Sequence, residues 1–285
     1  DRGQIEVGLD DQDTLRVAGG KTLGVKDLQT ASNVLDAQSV VLLTGGAKGI
    51  TASVALDFAK KSGCKLILAG RTRMTFADPL GEDIEAHKAQ AKKDLVAKGE
   101  RATPMALKQA VRGLVSQQEI VENMMSMKAL GASLVEYVSC DLANSEAVAD
   151  MIRAIYARHG RLDVVVHGAG LEISHLLDQK DEQEFDRVFC GKALGFKAMM
   201  DVADALDLKT SWIAFSSIAG RFGNMGQIDY SAANDVCARQ VSRALSRDDQ
   251  QAMVLDWTAW ADVGMASRGS MPEILTSKGV EFLPV

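Results

Sequence analysis

A glycine-rich segment that could bind a phosphate follows the first strongly apolar run of the chain. After residues 40–43 the chain reads Thr44, Gly45, Gly46, Ala47, Lys48, Gly49 and Ile50. Glycines at a strand-to-helix turn let the backbone approach a pyrophosphate, which accepts hydrogen bonds from unpaired N–H groups at the helix N-terminus. A purely structural turn also selects glycine, so both interpretations stay open. The position between a buried strand and a helix favours a dinucleotide site.

The second apolar run ends on a residue that could select the cofactor. In a dinucleotide fold, an acid at this position hydrogen-bonds the ribose 2′-hydroxyl of NAD. Here residues 65–69 are followed by Gly70 and Arg71, whose guanidinium suits a 2′-phosphate. Lys48 in the glycine-rich segment can add a second positive charge. These residues predict NADPH rather than NADH, and the alternative is that Arg71 is a solvated surface residue.

Two further strand ends contribute candidates for the same site. Asp141 and Leu142 follow the third apolar run, and Asp141 could accept a hydrogen bond from an adenine amino group or cap the next helix. After the fourth run the chain reads His167, Gly168, Ala169 and Gly170. The small residues there would lie against the cofactor. His167 could transfer a proton or could be a hydrogen-bonded core histidine.

These candidates require a sheet whose strands end at one edge. Six short apolar runs predict strands buried on both faces of a parallel sheet: 40–43, 65–69, 134–138, 162–166, 212–215 and 252–255. Segments with helical spacing lie between them: 49–61, 104–130, 145–158, 181–206 and 230–246. The alternation predicts an α/β fold with a doubly wound, Rossmann-like parallel sheet.

Two segments depart from this alternation. Residues 1–37 are polar and glycine-rich, and we expect an appended strand or two and a short helix there. About sixty residues separate Arg71 from the run at 134–138, which is longer than a usual connection. We expect a helical insertion, because Thr103 and Pro104 are a cap and a first helical residue. Its apolar stripe would pack against the core or another domain: Met105, Val111, Leu114, Val115, Val121, Met124, Met125 and Leu130.

Composition excludes several classes of protein. The chain has 285 residues, of which 47% are hydrophobic and 25% charged, and its formal net charge is −6. That charge argues against a nucleic-acid partner, and no apolar stretch reaches the ~18 residues of a membrane span. Four widely spaced cysteines without a Cys/His cluster indicate buried thiols in a reducing compartment and no metal site. We expect a cytoplasmic protein and, since Asp1 is not preceded by methionine, a piece of a longer one.

A serine and a tyrosine at a characteristic spacing connect the chain to a known family. Ser217 ends the fifth apolar run, and Tyr230 follows thirteen residues later at the start of a helix. With these motifs the chain resembles the short-chain dehydrogenase/reductase superfamily over residues 39 to about 265. The superfamily has a lysine four residues after the tyrosine, where this chain has Asn234. Lys192 stands where the superfamily has asparagine, and this exchange resembles the ketoreductase domains of multidomain polyketide and polyunsaturated fatty acid synthases.

The resemblance implies a role for each of four residues. A hydride delivered from a nicotinamide to a carbonyl carbon leaves charge on the oxygen, which a proton donor must neutralise. Tyr230 would be the donor, and Lys192 would stabilise its phenolate because the pKa of a free phenol is about 10. Ser217 would hydrogen-bond the carbonyl oxygen, and Asn234 would hold Lys192 or a proton-carrying water. Lys197 is the other candidate lysine, but its spacing does not match.

The chain also departs from the pattern that it resembles. Thr51 replaces the third glycine of the loop, which brings the first helix close without removing the pyrophosphate site. The segment 171–174 lacks the Leu-Asp-Asp signature of one stereochemical class, and Phe222 stands where the opposite class has tryptophan. Product configuration therefore stays open. Gly264 and Met265 precede a segment that we expect to form a mobile lid over the substrate groove.

The functional hypothesis is NADPH-dependent reduction of a β-ketoacyl thioester on an acyl carrier protein, with neighbouring synthase domains as further partners. Residues 38–285 would be the catalytic domain, continued beyond Val285 in the natural protein. Residues 1–37 would be the remnant of a non-catalytic structural subdomain. One alternative is a stand-alone reductase of free ketones or acyl-CoA. Another is a non-catalytic module that binds NADPH.

Overall fold

The structure, a computed structural model, divides the chain into two units, Asp1–Val34 and Leu35–Val285. It describes residues 7–9, 15–17, 35–75, 84–97, 99, 103–247, 250–261, 273, 276–277, 279 and 281–283. In the first unit, strand β1 (Val7–Leu9) pairs antiparallel with β2 (Leu15–Val17). The short helix expected before residue 37 lies outside the described residues.

The second unit contains the predicted parallel sheet. Its strands follow in the order β5-β4-β3-β6-β7-β8, all parallel. They are β3 (Val40–Thr44), β4 (Lys65–Gly70), β5 (Leu134–Ser139), β6 (Val164–His167), β7 (Ser211–Ser217) and β8 (Ala252–Trp257). The order reverses between β3 and β6, which is where doubly wound sheets bind nucleotides. The predicted fold class is confirmed.

Helices connect the strands and cover both faces of the sheet. The bounds are α1 (Gly49–Ser62), α2 (Ile84–Ala97), α3 (Pro104–Ala129), α4 (Ser145–His159), α5 (Glu182–Phe189), α6 (Gly195–Ala205), α7 (Ile218–Phe222) and α8 (Ile228–Leu245). The segment 181–206, predicted as one helix, is interrupted between α5 and α6 by a π-helical turn, Cys190–Leu194. None of the helices in the described part of the chain is long and apolar enough to cross a membrane.

Alternate residues of the central strand enter two separate cores, because successive side chains of a strand point to opposite faces. Val40 and Leu42 pack in one core, with side chains of α4, α6 and α8. Val41 and Leu43 pack in the other, with side chains of α1 and α3. The four cysteines are free thiols, and all but Cys190 are buried. The sheet is therefore buried on both faces, as its apolar runs predict.

The long insertion forms α2 and α3, and only part of its predicted apolar stripe is buried. Val121 of the predicted stripe is 3% exposed, and Ile120 and Met127 of α3, which the prediction did not include, are 1% and 0% exposed. Four members of the predicted stripe are instead exposed: Met105, Val115, Met125 and Leu130. A helix turns 100° per residue, so residues 120, 121 and 127 lie on one side of the helix and residues 115 and 125 lie on the other. One face of α3 therefore packs against the sheet layer beside α1.

Candidate active site

Ser217 and Tyr230 meet at the carboxyl edge of the sheet. β7 ends at Ser217, whose Oγ accepts a hydrogen bond from Ala219 N (3.1 Å) and so caps the short helix α7. Gly220 lets α7 pack closely on α8, since a Cβ at that position would lie 2.8 Å from the Cβ of Asn234. The Ser217 side chain lies near enough to the Tyr230 hydroxyl to lower the pKa of that phenol. Packing of two short segments thus brings together residues thirteen apart in sequence.

The environment of Tyr230 keeps its hydroxyl protonated. Burial raises the pKa of Tyr230 above its ordinary value, and the negative charge of Glu172 acts in the same direction. Hydrogen bonds with Ser217 and Asn234 oppose that rise in pKa without reversing it. A phenol with a raised pKa holds its proton at neutral pH and can donate it to an oxygen that becomes negatively charged.

Lys192 lies in the π-helical turn between α5 and α6 and is 4% exposed. Its Nζ donates to the backbone carbonyl of Phe215 in β7 (2.7 Å) and to that of Ala169, which follows β6 (3.4 Å). Burial lowers the pKa of this ammonium below its ordinary value. Among the described residues its acceptors are carbonyl oxygens rather than the Tyr230 hydroxyl. Single π-helical turns are frequent at functional sites, and this one directs a lysine inward.

The other candidate lysine lies on the surface. The side chain of Lys197 is 50% exposed, and its ammonium forms an ion pair with Asp201 at 2.5 Å, one turn further along α6. An exposed pair of this kind is stabilised by less than about 1 kcal/mol and is screened by salt. The geometry therefore favours Lys192 over Lys197 as the lysine near the reacting groups.

Asn234 is fully buried in α8. Its Nδ2 donates to the backbone carbonyl of Tyr230, one turn earlier, at 2.8 Å. Its Oδ1 has no hydrogen-bond partner among the described residues. Since a buried polar atom normally has a partner, Oδ1 is a suitable acceptor for a water molecule. Lys192 is not among the hydrogen-bond partners that the described residues give Asn234.

His167 is a core histidine that links the glycine-rich segment to Lys192. Its Nε2 lies 3.1 Å from the Lys192 carbonyl, which can only accept a hydrogen bond, so Nε2 carries the proton. Its Nδ1 lies 2.8 Å from Thr44 Oγ1 and accepts a hydrogen bond from that hydroxyl. Thr44 Oγ1 in turn accepts from Ala169 N at 3.3 Å. Burial, and then the charge of Lys192, hold the pKa of His167 well below its ordinary value. The imidazole is therefore neutral and structural, which favours the second of the two interpretations given above.

The glycine-rich segment joins β3 to α1 with an open helix N-terminus. Lys48 is the N-cap residue of α1, and no side chain caps this end. Gly45 has φ +72°, and a Cβ there would lie 3.0 Å from the backbone of Ala169. Gly49 has φ +58°, and a Cβ there would meet no atom within 4 Å. The first glycine is required for close packing, and the second leaves space at the helix start where an anion could approach.

Arg71 and Asp141 line one cavity of about 560 Å³ together with Arg73, Met74 and Ser139. The N-cap of α4 is Asn144, whose side chain accepts from two backbone N–H groups. The capping alternative for Asp141 is therefore wrong, although its Oδ1 accepts from Ala143 N at 3.2 Å. Leu142 differs from the other candidates because its side chain is buried in the core. Only its backbone could contact a cofactor.

The remaining candidates lie at the rim or outside the described residues. Phe222 is 72% exposed at the end of α7. Gly264 and Met265, with the expected lid, fall outside the described part of the chain. No group of metal-ligating side chains occurs among the residues that the structure describes.

The donors of the site fit a phosphorylated dinucleotide. The uncapped N-terminus of α1 offers N–H groups, and the cavity beside Arg71 holds guanidinium groups. Gly168, Ala169 and Gly170 connect these elements to the edge that carries Ser217 and Lys192. The candidates for nucleotide binding and those for proton transfer therefore follow strands on opposite sides of the point where the strand order reverses.

A comparison with protein families identifies the chain. The model of the KR domain matches residues 39–262. This chain belongs to the KR domain family. The resemblance to ketoreductase domains stated from the sequence is therefore confirmed, and the fold of this family implies a nicotinamide cofactor.

Relatives of this KR domain are much longer proteins. It is 30% identical over 256 residues to a polyunsaturated fatty acid synthase polypeptide of Thraustochytrium sp., covering 86% of this chain and 9% of the relative. It is 28% identical over 232 residues to the polyketide synthase PksN of Bacillus subtilis, covering 79% of this chain and 3% of the relative. A crystal structure of a ketoreductase domain from the bacillaene assembly line has the same fold, with a TM-score of 0.67 and 22% identity. The match covers 95% of this chain and 54% of that one.

Two groups of residues in the KR domain escaped the sequence analysis. Arg73 lines the same cavity as Arg71, and its position two residues later was the available signal. The second group is a buried ion cluster in which Lys180 Nζ contacts Glu184 Oε1 (2.7 Å) and Asp229 Oδ2 (2.8 Å). Asp229 Oδ1 also accepts from the backbone N of Tyr230 at 2.8 Å. The cluster thus fixes the start of α8 and the residue that carries the phenol.

The same cluster ties the loop after β6 to the segment before α8. Glu184 also contacts His175 Nδ1 at 2.8 Å, and His175 N donates to Gly226 O at 3.0 Å. Gln227 Nε2 donates to Glu172 Oε1 at 2.9 Å. Sequence patterns gave no signal for these pairs, because their members lie up to 55 residues apart. Together they hold the negatively charged Glu172 beside the phenol.

Proposed function

We propose that this KR domain reduces a β-ketoacyl thioester, carried on an acyl carrier protein, to the β-hydroxyacyl form with NADPH. The observation that carries the proposal is that the candidate residues lie at the same edge of the parallel sheet. Ser217, Tyr230 and Lys192 lie beyond β6 and β7, and Arg71 with Asp141 lies beyond β4 and β5. A dinucleotide that lies across this edge of the sheet would have its phosphorylated ribose near Arg71 and its nicotinamide near Ser217 and Tyr230.

In this mechanism, NADPH supplies the hydride to the carbonyl carbon when bound. Ser217 Oγ and the Tyr230 hydroxyl interact with each other, and in the proposal both hydrogen-bond the carbonyl oxygen. Tyr230 then donates its proton to the oxygen as negative charge develops there. The hydrogen bond from Ser217 stabilises the phenolate that remains.

Lys192 and Asn234 support that transfer. In the proposal the ammonium of Lys192 stabilises the phenolate of Tyr230, and because Lys192 is buried, its charge acts more strongly than it would in water. The unpartnered Oδ1 of Asn234 can hold a water that returns a proton towards Tyr230. His167 keeps the π-helical turn in place through the Lys192 carbonyl. Each of these roles belongs to the proposal.

The rim of the site supports an acyl substrate presented from outside. Leu177, Phe222 and Met225 are 71%, 72% and 81% exposed. The hydrogen bond between His175 and Gly226 brings the loops that carry Leu177 and Met225 together. An apolar rim at the mouth of a polar site suits an aliphatic chain whose carbonyl reaches inward. The small share of the long relatives that this chain covers supports neighbouring synthase domains and a carrier protein as partners.

NADPH oxidation tests the proposal with four substrates. These are a β-ketoacyl group on a carrier protein, the same group on CoA, the same group on a short pantetheine mimic, and a bicyclic ketone. We expect the carrier-bound substrate to give the highest kcat/KM, and Tyr230→Phe to bind NADPH without turnover. Preference for the free ketone or CoA ester would indicate a stand-alone reductase. Cofactor binding by the wild type without turnover of any substrate would indicate a non-catalytic module.

A further inference from the structure

Helix α3 of the insertion contacts both loops of the cofactor site. Asn123 Nδ2 donates to the carbonyl of Ala47 in the glycine-rich segment at 2.9 Å. Six residues earlier on α3, Gln117 Oε1 accepts from both the backbone N (2.6 Å) and the Oγ1 (2.9 Å) of Thr75, in the loop after β4. Gln117 is 7% exposed, so these bonds are shielded from water. The insertion therefore helps to fix the two segments that carry Lys48 and Arg71.

The same helix positions the Lys48 ammonium. Lys48 Nζ donates to Ser116 Oγ. Ser116 directly precedes Gln117 on α3 and lies one turn after Arg112. A lysine side chain has several rotatable bonds, and a hydrogen bond at its end reduces the number of positions that the charge can occupy. Ser116 therefore holds the second positive charge that the sequence analysis assigned to the cofactor.

A second cavity lies between α3 and the loop after β4. Its volume is about 390 Å³, and its lining is polar and basic: Thr72, Arg73, Arg112, Gly113, Ser116 and Gln117. Arg112 and Ser116 are four residues apart and so lie on one face of the helix. Gly113 presents no side chain between them. Arg73 lines this cavity and also the larger one beside Arg71, so the two cavities are neighbours.

The charge of this region suits a negatively charged ligand. Arg71, Arg73 and Arg112 form no ion pair with an acidic side chain among the residues that the structure describes. These three cations and Lys48 are concentrated in a chain with a formal net charge of −6. Like charges held close together repel one another, and an anion bound among them removes that cost. Guanidinium groups bind phosphate through pairs of parallel hydrogen bonds.

We propose that α3 forms the second wall of a phosphomonoester site, in which Arg112 and Arg73 bind the 2′-phosphate of NADPH together with Arg71 and the Ser116-held Lys48. The inference rests on the proposed function and adds to it. The preference for NADPH over NADH then depends on a helix that belongs to the insertion, outside the usual strand–turn–helix unit. Arg112 is a specificity-determining residue of this KR domain.

Calorimetric binding of three small nucleotides tests the inference without turnover. The probes are adenosine 2′,5′-bisphosphate, adenosine 3′,5′-bisphosphate and ADP, and only the first has the phosphate of NADPH. We expect the wild type to bind the 2′,5′ isomer most tightly. Arg112→Ala and Arg112→Gln should each weaken that binding by about tenfold or more, the usual loss for a charge-assisted contact, and leave ADP binding unchanged. Lys128→Ala, which removes a cation from the far end of α3, is the matched control.

Each alternative outcome has a distinct meaning. If the Arg112 variants bind the 2′,5′ isomer like the wild type while Arg71→Ala does not, the inference is overturned and the proposed function stands. If the wild type binds ADP as tightly as the 2′,5′ isomer, the NADPH assignment itself fails. Equal binding of both bisphosphates would indicate an anion site that also accepts a 3′-phosphate, the isomer found in CoA. That result would contradict the proposed selectivity for a 2′-phosphate. Thermal melts of the variants, whose substituted side chain is exposed, verify folding.

Discussion

Substitution of Gly168 by alanine should force α1 away from the sheet edge. An ideal Cβ at Gly168 would lie 2.2 Å from Thr51 Oγ1, 3.0 Å from Thr51 Cγ2 and 3.2 Å from Phe215 Cδ2. Thr51 is 4% exposed and lies in the first turn of α1, so it has no open space into which to move. Overpacking of this kind costs about 1–3 kcal/mol of unfolding free energy.

The cost converts to a measurable shift in melting temperature. Unfolding entropy per residue gives about 0.6 kcal/mol/K for a chain of 285 residues. Gly168→Ala should therefore lower Tm by about 2–5 °C. Because Gly168 precedes Ala169, whose backbone packs against Gly45, the variant should also raise the KM for NADPH. Circular dichroism melts and NADPH titrations measure the two effects.

A second substitution tests the cause. Thr51→Ala removes both side-chain atoms that clash, and by itself changes the unfolding free energy by less than about 1 kcal/mol, since a lost methyl is offset by a better helix propensity. The double variant Gly168→Ala/Thr51→Ala should regain most of the lost stability, with a coupling energy of about 1–2 kcal/mol. Recovery should be incomplete because the contact with Phe215 remains.

Gly195→Ala is the matched control, since a Cβ there would lie 2.6 Å from the carbonyl oxygen of Leu142, away from Thr51. Thr51→Ala should not rescue it. If Gly168→Ala has the same Tm as the wild type, or if Thr51→Ala restores the Tm of both glycine variants equally, then Thr51 does not determine how closely α1 approaches the sheet. The physical account of the residue that replaces the third loop glycine would then be refuted.

Three further changes test the site and its supports. Arg71→Ala should cost about 1.5–3 kcal/mol of NADPH binding and little of NADH binding, because only NADPH has the phosphate, and equal losses in KM would contradict the assignment. Tyr230→Phe should abolish reduction while nicotinamide fluorescence still reports cofactor binding, and Lys192→Ala should lower kcat more than Lys197→Ala; the reverse order would mean that the wrong lysine has been chosen. A hydrogen bond from Lys180 holds the pKa of Glu184 below its ordinary value of 4.5, so Glu184 adds stability above that pH and loses it as the pH falls through its lowered pKa. Glu184→Gln should therefore be less stable than the wild type at neutral pH and melt closer to it in acid, and a difference in Tm independent of pH would exclude this cause.

The elements of the fold could be predicted from local patterns. Runs such as 40–43 and 65–69 are buried strands because every residue in them except Lys65 is apolar, and strands covered on both faces need no polar side. The thirteen-residue spacing of Ser217 and Tyr230 joins a strand end to a helix start through one short segment, so neighbours in sequence determine it. The Gly-rich segment is equally local. These features follow from steric preferences and from hydrophobic periodicity within about twenty residues.

Other features of the site depend on contacts between distant segments. No pattern near residue 192 predicts the π-helical turn that directs Lys192 to the carbonyl of Phe215, 23 residues later. The ion pair of Lys180 with Asp229 joins residues 49 apart, and the contact of Lys48 with Ser116 joins residues 68 apart.

The sequence by itself determined the parallel sheet, the order of its elements and the family, whereas the residues that it assigns to the chemistry stay a prediction. Only the tertiary structure decided that His167 is a neutral support, that Asn144 rather than Asp141 caps α4, and that the insertion lies against the cofactor loops. The physical reason is the range of the forces involved. Backbone sterics and apolar periodicity act between neighbours, whereas desolvation and hydrogen-bond pairing depend on which distant segments the packed sheet brings together.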